Sequence, residues 1–235
     1  QVLLTTVEEW LARSVRRGRD VPLSSARRAA LRKGIAQSLP RVMPALTVML
    51  RDGVGAATAA AKNKRIVLDI LHLLFASTVP LQDHLADGTL MNRLFQIMTQ
   101  PNQQILSCGE DRARVVRCLA QMVGRNCIPR DAEGFIMQVS TQMLALLKAL
   151  TESGGIQSVP EEFLLQLVRF LAVFLERHLG RVESQPNFPM NDLLALLFRF
   201  SFVLPTPALF VEALNVWGVF VDFVVSGKSD ARRQA

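Results

Sequence analysis

The residues of this chain that could bind a metal or attack a substrate are three cysteines and three histidines. A zinc site usually needs pairs of cysteine or histidine ligands a few residues apart. The cysteines, Cys108, Cys118 and Cys127, are too widely spaced to form such pairs, and the histidines are scattered. An odd number of cysteines within helical sequence is typical of reduced thiols in the cytosol or nucleus. We therefore expect no metal site.

The other candidates for catalysis are no stronger. His72 lies on the polar face of a predicted helix near Asp69, which predicts a surface pair rather than a catalytic one. His178 lies near the end of another predicted helix, where a charged histidine suits the helix dipole. The segment "DGVGAA" (52–57) contains Gly-x-Gly but follows no strand, so no nucleotide site is expected. Hydrolase and Walker A motifs do not occur. The sequence therefore predicts a protein that is not an enzyme and holds no cofactor.

Positive charge is concentrated near the start of the chain. The sequence has 27 Lys and Arg against 20 Asp and Glu, and the excess lies within residues 1–65. Arg27, Arg28, Arg32 and Lys33 could contact an acidic partner, or they could form a solvated helix face. They could also contact the phosphates of a nucleic acid, but no known binding motif or interleaved aromatic residue accompanies them. No nucleic acid is therefore expected as a partner.

The candidate residues named above lie in a sequence whose apolar residues repeat with helical periodicity from end to end. In each of three predicted helices the apolar residues fall on one broad stripe and the polar residues lie opposite. The stripes consist of Ile66, Val67, Ile70, Leu73 and Leu74; of Val115, Val116, Leu119, Met122 and Val123; and of Phe135, Ile136, Val139, Met143, Leu146, Leu147 and Leu150.

The pattern predicts about nine helices joined by short links, with no competing strand. The helices pair as antiparallel hairpins with a period of about 40–50 residues, which is the range of HEAT and armadillo repeats. Stacking of such hairpins covers a helix on more than one side, which explains helices that are apolar over a wide arc. The predicted fold is all-α, an α-solenoid of tandem antiparallel helix pairs.

The most apolar stretch, residues 185–225, could be mistaken for a membrane span. A spanning helix needs about 20 mostly apolar residues in a row. Here Arg199, two prolines, Glu212 and Asp222 interrupt the run. The stretch is instead predicted to form two helices, about 190–203 and 206–225, in which Thr206 caps the second helix and Pro207 occupies its first position. No membrane contact is expected.

Residues 1–235 are expected to form a single segment of the solenoid. The chain starts with Gln rather than Met, which favours a fragment of a longer protein. Residues 52–65, "DGVGAATAAAKNKR", are predicted to form a flexible Gly/Ala-rich link within the segment.

Two long segments carry a family resemblance. They are "VGRNCIPRDAEGFIMQVSTQMLALLKAL" (123–150) and "RHLGRVESQPNFPMNDLLALLFRFSFVLPTPALFVEALNVWGVFVDFVVS" (177–226). They resemble the nuclear export receptors of the karyopherin-β family, and "LLTTVEEWL" and "RRAALRKGIAQSLPRVMPALTVML" resemble the same family more loosely. The resembling protein has a long polar insertion near residues 52–65, where this chain has only the short link.

The resemblance implies a HEAT solenoid that carries protein cargo from the nucleus to the cytoplasm. In the family, cargo is loaded together with Ran bound to GTP, and the receptor crosses the pore through weak contacts with Phe-Gly nucleoporins. For the resembling protein the cargo is actin with profilin. The helices around Phe198–Phe223 could form an apolar groove for Phe-Gly repeats, or their phenylalanines could belong to an ordinary core. The resemblance also implies shuttling between nucleus and cytoplasm. A HEAT scaffold for another protein complex and a basic helical nucleic-acid binder remain alternatives.

Overall fold

The computed structural model describes residues 25–51, 57–77, 81–85, 87–99, 109–124, 128, 133–152 and 155–226. All regular structure within these ranges is helical, as predicted. The α-helices are α1 (Ser25–Arg51), α2 (Ala57–Ala76), α3 (Gln82–Leu85), α4 (Thr89–Thr99), α5 (Gly109–Gly124), α6 (Glu133–Glu152), α7 (Glu161–Glu183), α8 (Met190–Val203) and α9 (Pro207–Val225), and a short 3-10 helix (Gly155–Ser158) precedes α7. The predicted helix at the start of the chain lies outside the described residues.

Eight of the helices form four stacked hairpins. The hairpins are α1/α2, α4/α5, α6/α7 and α8/α9, and α3 is a single turn between the first two. The first helices α1, α4, α6 and α8 form one layer of the stack, and the second helices α2, α5, α7 and α9 form the other. This arrangement confirms the prediction of an all-α solenoid built from tandem helix pairs.

Side-chain bonds between neighbouring hairpins reveal the register of the stack. Arg65 bonds Asp111, which is 46 residues later, and Arg114 bonds Asp69 over a separation of 45 residues. Arg169 bonds Glu212 over 43 residues. Since the separation hardly changes along and between helices, corresponding helices run parallel and each hairpin repeats the one before it. The spacing agrees with the predicted repeat length.

The core lies between the two layers and continues through the stack. Phe95 of α4 meets Phe170 of α7 edge-on, with ring centroids 6.4 Å apart, and Phe170 is also 6.1 Å from Phe174. All three rings are fully buried. Edge-to-face aromatic contacts at this distance add to the stability that burial of their area provides. The second hairpin is therefore joined to the third mainly by apolar packing.

The two layers pack unequally. In the second layer, α7 packs against both α5 and α9 over a large part of its length. In the first layer, α4 and α6 contact each other over only a short length. Helices that separate on one side of a stack and stay close on the other leave a groove on the open side. Such a groove lies between α4 and α6.

The start of α2 differs from the prediction. Residues 52–65 were predicted as a flexible link, but α2 begins at Ala57, so 57–65 are helical. The sequence there is rich in alanine, which has the highest intrinsic helix propensity. The glycines that suggested a link precede this point, in the range 52–56 outside the described residues.

The buried faces of the central helices match the predicted stripes closely. All five apolar residues predicted for α5 are buried, as are the predicted residues of α6 from Ile136 to Leu150. In α2 the prediction is partly wrong, because Ile66 is exposed whereas Leu68 and Leu71 are completely buried. Because α2 contacts both α1 and α5, its buried face differs from the stripe that periodicity alone predicted.

The last hairpin has the predicted boundaries. Helix α8 covers Met190–Val203 and α9 begins at Pro207. The Thr206 hydroxyl accepts a hydrogen bond from the backbone N–H of Leu209 at 3.4 Å and donates one to Glu161 of α7 at 3.0 Å. Thr206 therefore caps α9 and attaches it to the preceding hairpin.

Candidate protein-binding surfaces

The predicted basic residues lie in the first turns of α1. Arg27, Arg32 and Lys33 are exposed, and Arg28 lies in the same helix, although its side chain is outside the described residues. The described side chains of α1 before Ile35 are exposed or half-buried, so this end of the helix lies outside the described core. The structure thus places three of the four predicted side chains where a partner could reach them.

The cysteine that the structure describes is unsuited to chemistry. Cys118 is buried in α5, and its Sγ donates to the backbone oxygen of Leu68 at 3.2 Å. Burial raises the pKa of this thiol to about 12. A thiol that stays protonated is neither a nucleophile nor a metal ligand. Cys108 and Cys127 lie outside the described residues, and no metal-binding group of His, Cys, Asp and Glu occurs within the described ones.

His72 does not form the predicted surface pair. The carboxylate of Asp69 instead accepts from Arg114 of α5 at 3.1 and 3.2 Å, because α5 packs alongside α2. His72 is half-buried, and burial, followed by the charge of Arg117, lowers its pKa. The histidine is therefore mostly neutral near pH 7, and Asp69 connects two hairpins.

His178 also differs from its predicted role. It is buried, and its Nε2 donates to the backbone oxygen of Val123 in α5 at 3.0 Å. Burial lowers its pKa, so the side chain is mostly neutral and does not bring a positive charge to the helix end. Its Nδ1 is buried without a hydrogen-bond partner. His178 is thus a structural contact between α7 and α5.

An exposed apolar surface covers the last hairpin. On α8 the side chains of Phe198 and Phe202 are 57% and 65% exposed, and their ring centroids are 4.7 Å apart. Trp217 of α9 meets Phe198 edge-on, and its indole N–H donates to the Ser201 hydroxyl at 3.1 Å. The alternative that these phenylalanines are ordinary core is correct for Phe200, which is fully buried, but wrong for Phe198 and Phe202.

The exposed surface continues along α9. Four exposed residues, Val211, Leu214, Val221 and Val225, follow one another on one stripe of this helix. We name these four residues, together with Phe198 and Phe202, the apolar face. Contiguous exposed apolar surface on a protein commonly marks a contact site.

Helix α9 is also long and apolar enough to cross a membrane by length and composition. Its mean hydropathy is 1.8, and 17% of the apolar window is buried. This result differs from the prediction that Glu212 and Asp222 interrupt the apolar run. One helix of this kind is weak evidence for a span, because packed helices of other proteins pass the same test. Here Glu212 pairs with Arg169 of α7 at 2.8 Å, and α9 lies along α7, as the solenoid requires.

A polar groove of about 650 Å³ lies between α4 and α6 in the first layer. Two amides of α4, Asn92 and Gln96, face two amides of α6, Gln138 and Gln142. The amide nitrogen of Gln138 donates to the Asn92 oxygen at 2.8 Å. This site was not predicted from the sequence, although amides four residues apart in two predicted helices are a visible signal. We name these four residues the amide groove.

The conformation of Arg93 is fixed at the edge of the amide groove. Its guanidinium donates to the backbone oxygen of Leu50 at 2.9 and 3.2 Å and to the side chain of Gln96. Leu50 belongs to the last turn of α1, where backbone oxygens lack helical partners. Arg93 thereby joins the first hairpin to the second, and its charge already has hydrogen-bond acceptors.

Comparison with known proteins finds similar sequences among the exportins. Exportin-6 of Dictyostelium discoideum is 33% identical over 171 residues, which cover 72% of this chain and 15% of that protein. Exportin-6 of Danio rerio is 30% identical over 130 residues, and that of Homo sapiens is 27% identical over 129 residues. The chain is related to the exportins. No protein-family profile matches it.

The exportin relationship agrees with the fold, since tandem helix pairs are the architecture that the karyopherin-β resemblance implied. This chain spans about 15% of the Dictyostelium protein and 12% of the Danio and human proteins. The similarity therefore concerns a limited stretch of those proteins.

Proposed function

We propose that this chain is a stretch of solenoid in a nuclear export receptor, which carries protein cargo from the nucleus to the cytoplasm in a Ran-GTP-dependent manner. The observation that carries the proposal is the similarity to exportin-6 over 171 residues, on a fold of stacked hairpins. A solenoid suits this role because its contacts join neighbouring repeats, so that its curvature can adjust to cargo. Residues 1–235 act as one segment of the receptor.

Ran-GTP, a protein cargo and Phe-Gly nucleoporins are the proposed partners, and actin with profilin is the proposed cargo. The proposed receptor shuttles between nucleus and cytoplasm. The apolar face supports contact with Phe-Gly repeats, because Phe198 and Phe202 are exposed and adjacent. A phenylalanine side chain that docks beside these rings would remove apolar area from water at about 25 cal/mol per Å².

The experiment that tests this function uses the protein in its full-length form. Immobilised protein is mixed with Ran held in the GTP-bound or the GDP-bound state, with and without profilin–actin. We expect retention of Ran-GTP that increases when profilin–actin is present, because the two ligands bind the same receptor state. If neither ligand is retained, the chain is instead a HEAT scaffold for another complex.

Arg27, Arg28, Arg32 and Lys33 are proposed to attract an acidic surface of a partner. The support is their position on an end of α1 that lies outside the described core, in the most basic part of the sequence. The double variant Arg32→Glu/Lys33→Glu should slow association with that partner by about tenfold at low salt, since steering by charge acts mainly on the association rate.

A matched control for this variant is Lys148→Glu/Arg199→Glu. It changes the net charge equally at exposed positions of α6 and α8. An equal effect of the two double variants would mean that only the net charge matters and that the basic residues of α1 are a solvated face. Strong, steeply salt-dependent binding to a generic DNA duplex, with no binding of Ran, would favour the nucleic-acid alternative.

A further inference from the structure

We propose that the amide groove binds an extended stretch of polypeptide through its main chain. The groove lies in the first layer, between the second and third hairpins, away from the apolar face and the basic residues of α1. The proposal goes beyond the export function, because it concerns a separate site and the kind of ligand that fits it.

The chemistry of the lining points to an uncharged ligand that both donates and accepts hydrogen bonds. The described lining consists of four amides, Thr47, Thr89 and Arg93. A side-chain amide carries two N–H donors and an acceptor oxygen in one plane, which is the pattern that a peptide group complements. The described lining contains no carboxylate, and its apolar surface comes from the methylene and methyl groups of these polar side chains rather than from apolar residues.

The amides are also spaced for an extended chain. Asn92 and Gln96 are four residues apart in α4, as are Gln138 and Gln142 in α6, so each pair is separated by about 6 Å along its helix. An extended peptide directs its N–H and C=O groups to the same side every second residue, which is about 6.6–6.8 Å. The two amides of α6, Gln138 and Gln142, can therefore meet successive inward-facing peptide groups.

The two rows are in register with each other. Gln138 bonds Asn92 across a separation of 46 residues, which is the repeat spacing of the stack. The same offset relates Gln142 to Gln96, and both side chains line the groove. The single bond between Gln138 and Asn92 uses one donor and one acceptor, so each side chain keeps further hydrogen-bonding capacity.

The surroundings hold the groove in shape. Gly88, which precedes α4, has φ +67°, and a Cβ at this position would lie 2.9 Å from the Gln138 oxygen. Glycine both permits this backbone conformation and leaves room for the amide. Arg93 is fixed by the carbonyl of Leu50. The only charged side chain of the described lining thus already has acceptors, which disfavours a nucleic acid, because phosphates require several available cations.

The test begins with a selection from random linear dodecapeptides displayed on phage. The target is the full 235-residue chain, and the library is first depleted on the triple variant Asn92→Ala/Gln138→Ala/Gln142→Ala. The selected peptides should bind the triple variant at least about tenfold more weakly than the wild type, because several hydrogen bonds of about 1 kcal/mol each are lost. The control Gln37→Ala removes an exposed amide of α1 outside the groove and should bind like the wild type.

A second measurement leaves the protein unchanged. The best peptide is synthesised with N-methyl groups on every second residue, in each of the two possible phases. One phase should bind at least about tenfold more weakly because it removes the inward N–H groups, and the other should bind nearly normally, because its methyl groups face solvent.

Three outcomes would overturn the proposal: no peptide enriched on the wild type, equal binding to the triple variant, or equal tolerance of both N-methylated phases. Failure of the Ran experiment would leave these results unaffected, so the two proposals can be distinguished.

Discussion

Replacing Arg65 by methionine should destabilise the protein more than replacing its partner Asp111 by alanine. The two side chains form a bidentate pair, with bonds of 2.7 and 2.9 Å, between α2 and α5. The Asp111 side chain is completely buried, whereas that of Arg65 is 42% exposed. The two substitutions therefore leave different groups behind: a buried carboxylate in one case and a guanidinium that water can reach in the other.

The magnitudes follow from this difference in exposure. Removing one partner of a buried pair costs about 3–5 kcal/mol when the remaining charge is uncompensated. The first turn of α5 favours the negative charge of Asp111, so we expect the lower value, about 3 kcal/mol, for Arg65→Met. Asp111→Ala should cost about 1–2 kcal/mol, because it loses the hydrogen bonds but leaves a cation that water can solvate.

Urea unfolding followed by circular dichroism measures both values, and thermal melting provides a second estimate. For a chain of this size, 1 kcal/mol shifts Tm by about 2–4 °C, so Arg65→Met should lower Tm by about 6–12 °C. The pair formed by Arg169 and Glu212 is a matched control. It has a bond of 2.8 Å, but its side chains are 53% and 29% exposed. Arg169→Met should therefore cost no more than about 1 kcal/mol.

The reasoning would be refuted if Asp111→Ala cost as much as Arg65→Met, or if Arg169→Met cost as much as either. Equal costs in the first pair would mean that water does not solvate the charge of Arg65 when Asp111 is removed. An equal cost in the control pair would mean that burial does not determine the strength of these cross-hairpin bonds.

Three further predictions concern the core, the histidines and the apolar face. Phe170→Ala should cost about 3–5 kcal/mol in urea unfolding, since it leaves a cavity between two hairpins; a loss below 1 kcal/mol would contradict the described packing. The folded-state pKa values of His72 and His178 are lowered, so the unfolded chain binds more protons at acid pH. The contribution of these histidines to the free energy of unfolding should therefore be fully present above about pH 6.5 and should decrease as the pH falls below it. When both histidines are replaced by asparagine, the urea midpoint should vary less between pH 7.5 and 5.5. Phe202→Ser should weaken the proposed binding of a Phe-Gly repeat peptide by about tenfold without lowering Tm, because the ring is exposed; unchanged binding would mean that this ring does not contact the repeats.

The sequence predicts the fold well where one periodic stripe decides burial. The helix α6 shows this, since residues from Ile136 to Leu150 on the predicted stripe are all buried. The boundary at Thr206 and Pro207 was equally predictable, because a capping hydroxyl followed by proline is a local signal. Both features depend on residues within one helix or one turn.

Features that depend on a neighbouring hairpin could not be predicted from a single helix. Periodicity assigned Ile66 to the core and Asp69 to a surface pair. Packing of α5 against α2 instead buries Leu71, and Asp69 forms an ion pair with Arg114. The role of His178 likewise depends on a carbonyl of α5. Knowledge of the repeat offset, about 45 residues, would have suggested these partners.

The binding surfaces were only partly predictable. Charge alone indicated the basic residues of α1, and three of them are exposed. Composition could not separate exposed Phe202 from buried Phe200, because both lie in one uniformly apolar segment. The amide groove results from the separation of α4 and α6, and this separation depends on how closely the second layer packs rather than on either helix alone.

Among the described residues, the bonds between hairpins connect adjacent units, which has a mechanical consequence. When the ends of such a stack are pulled apart, every junction carries the same load, as links of a chain do. Extension then begins at the weakest junction, and the others keep their structure until it yields. The described residues at the junction of α7 and α9 include one partly exposed ion pair, whereas those at the junction of α2 and α5 include a buried carboxylate. The helix contact at the α7–α9 junction is nevertheless the more extensive of the two. A molecule stretched from both ends should therefore open one junction at a time, in an order set by these bonds and by the apolar packing of each junction together.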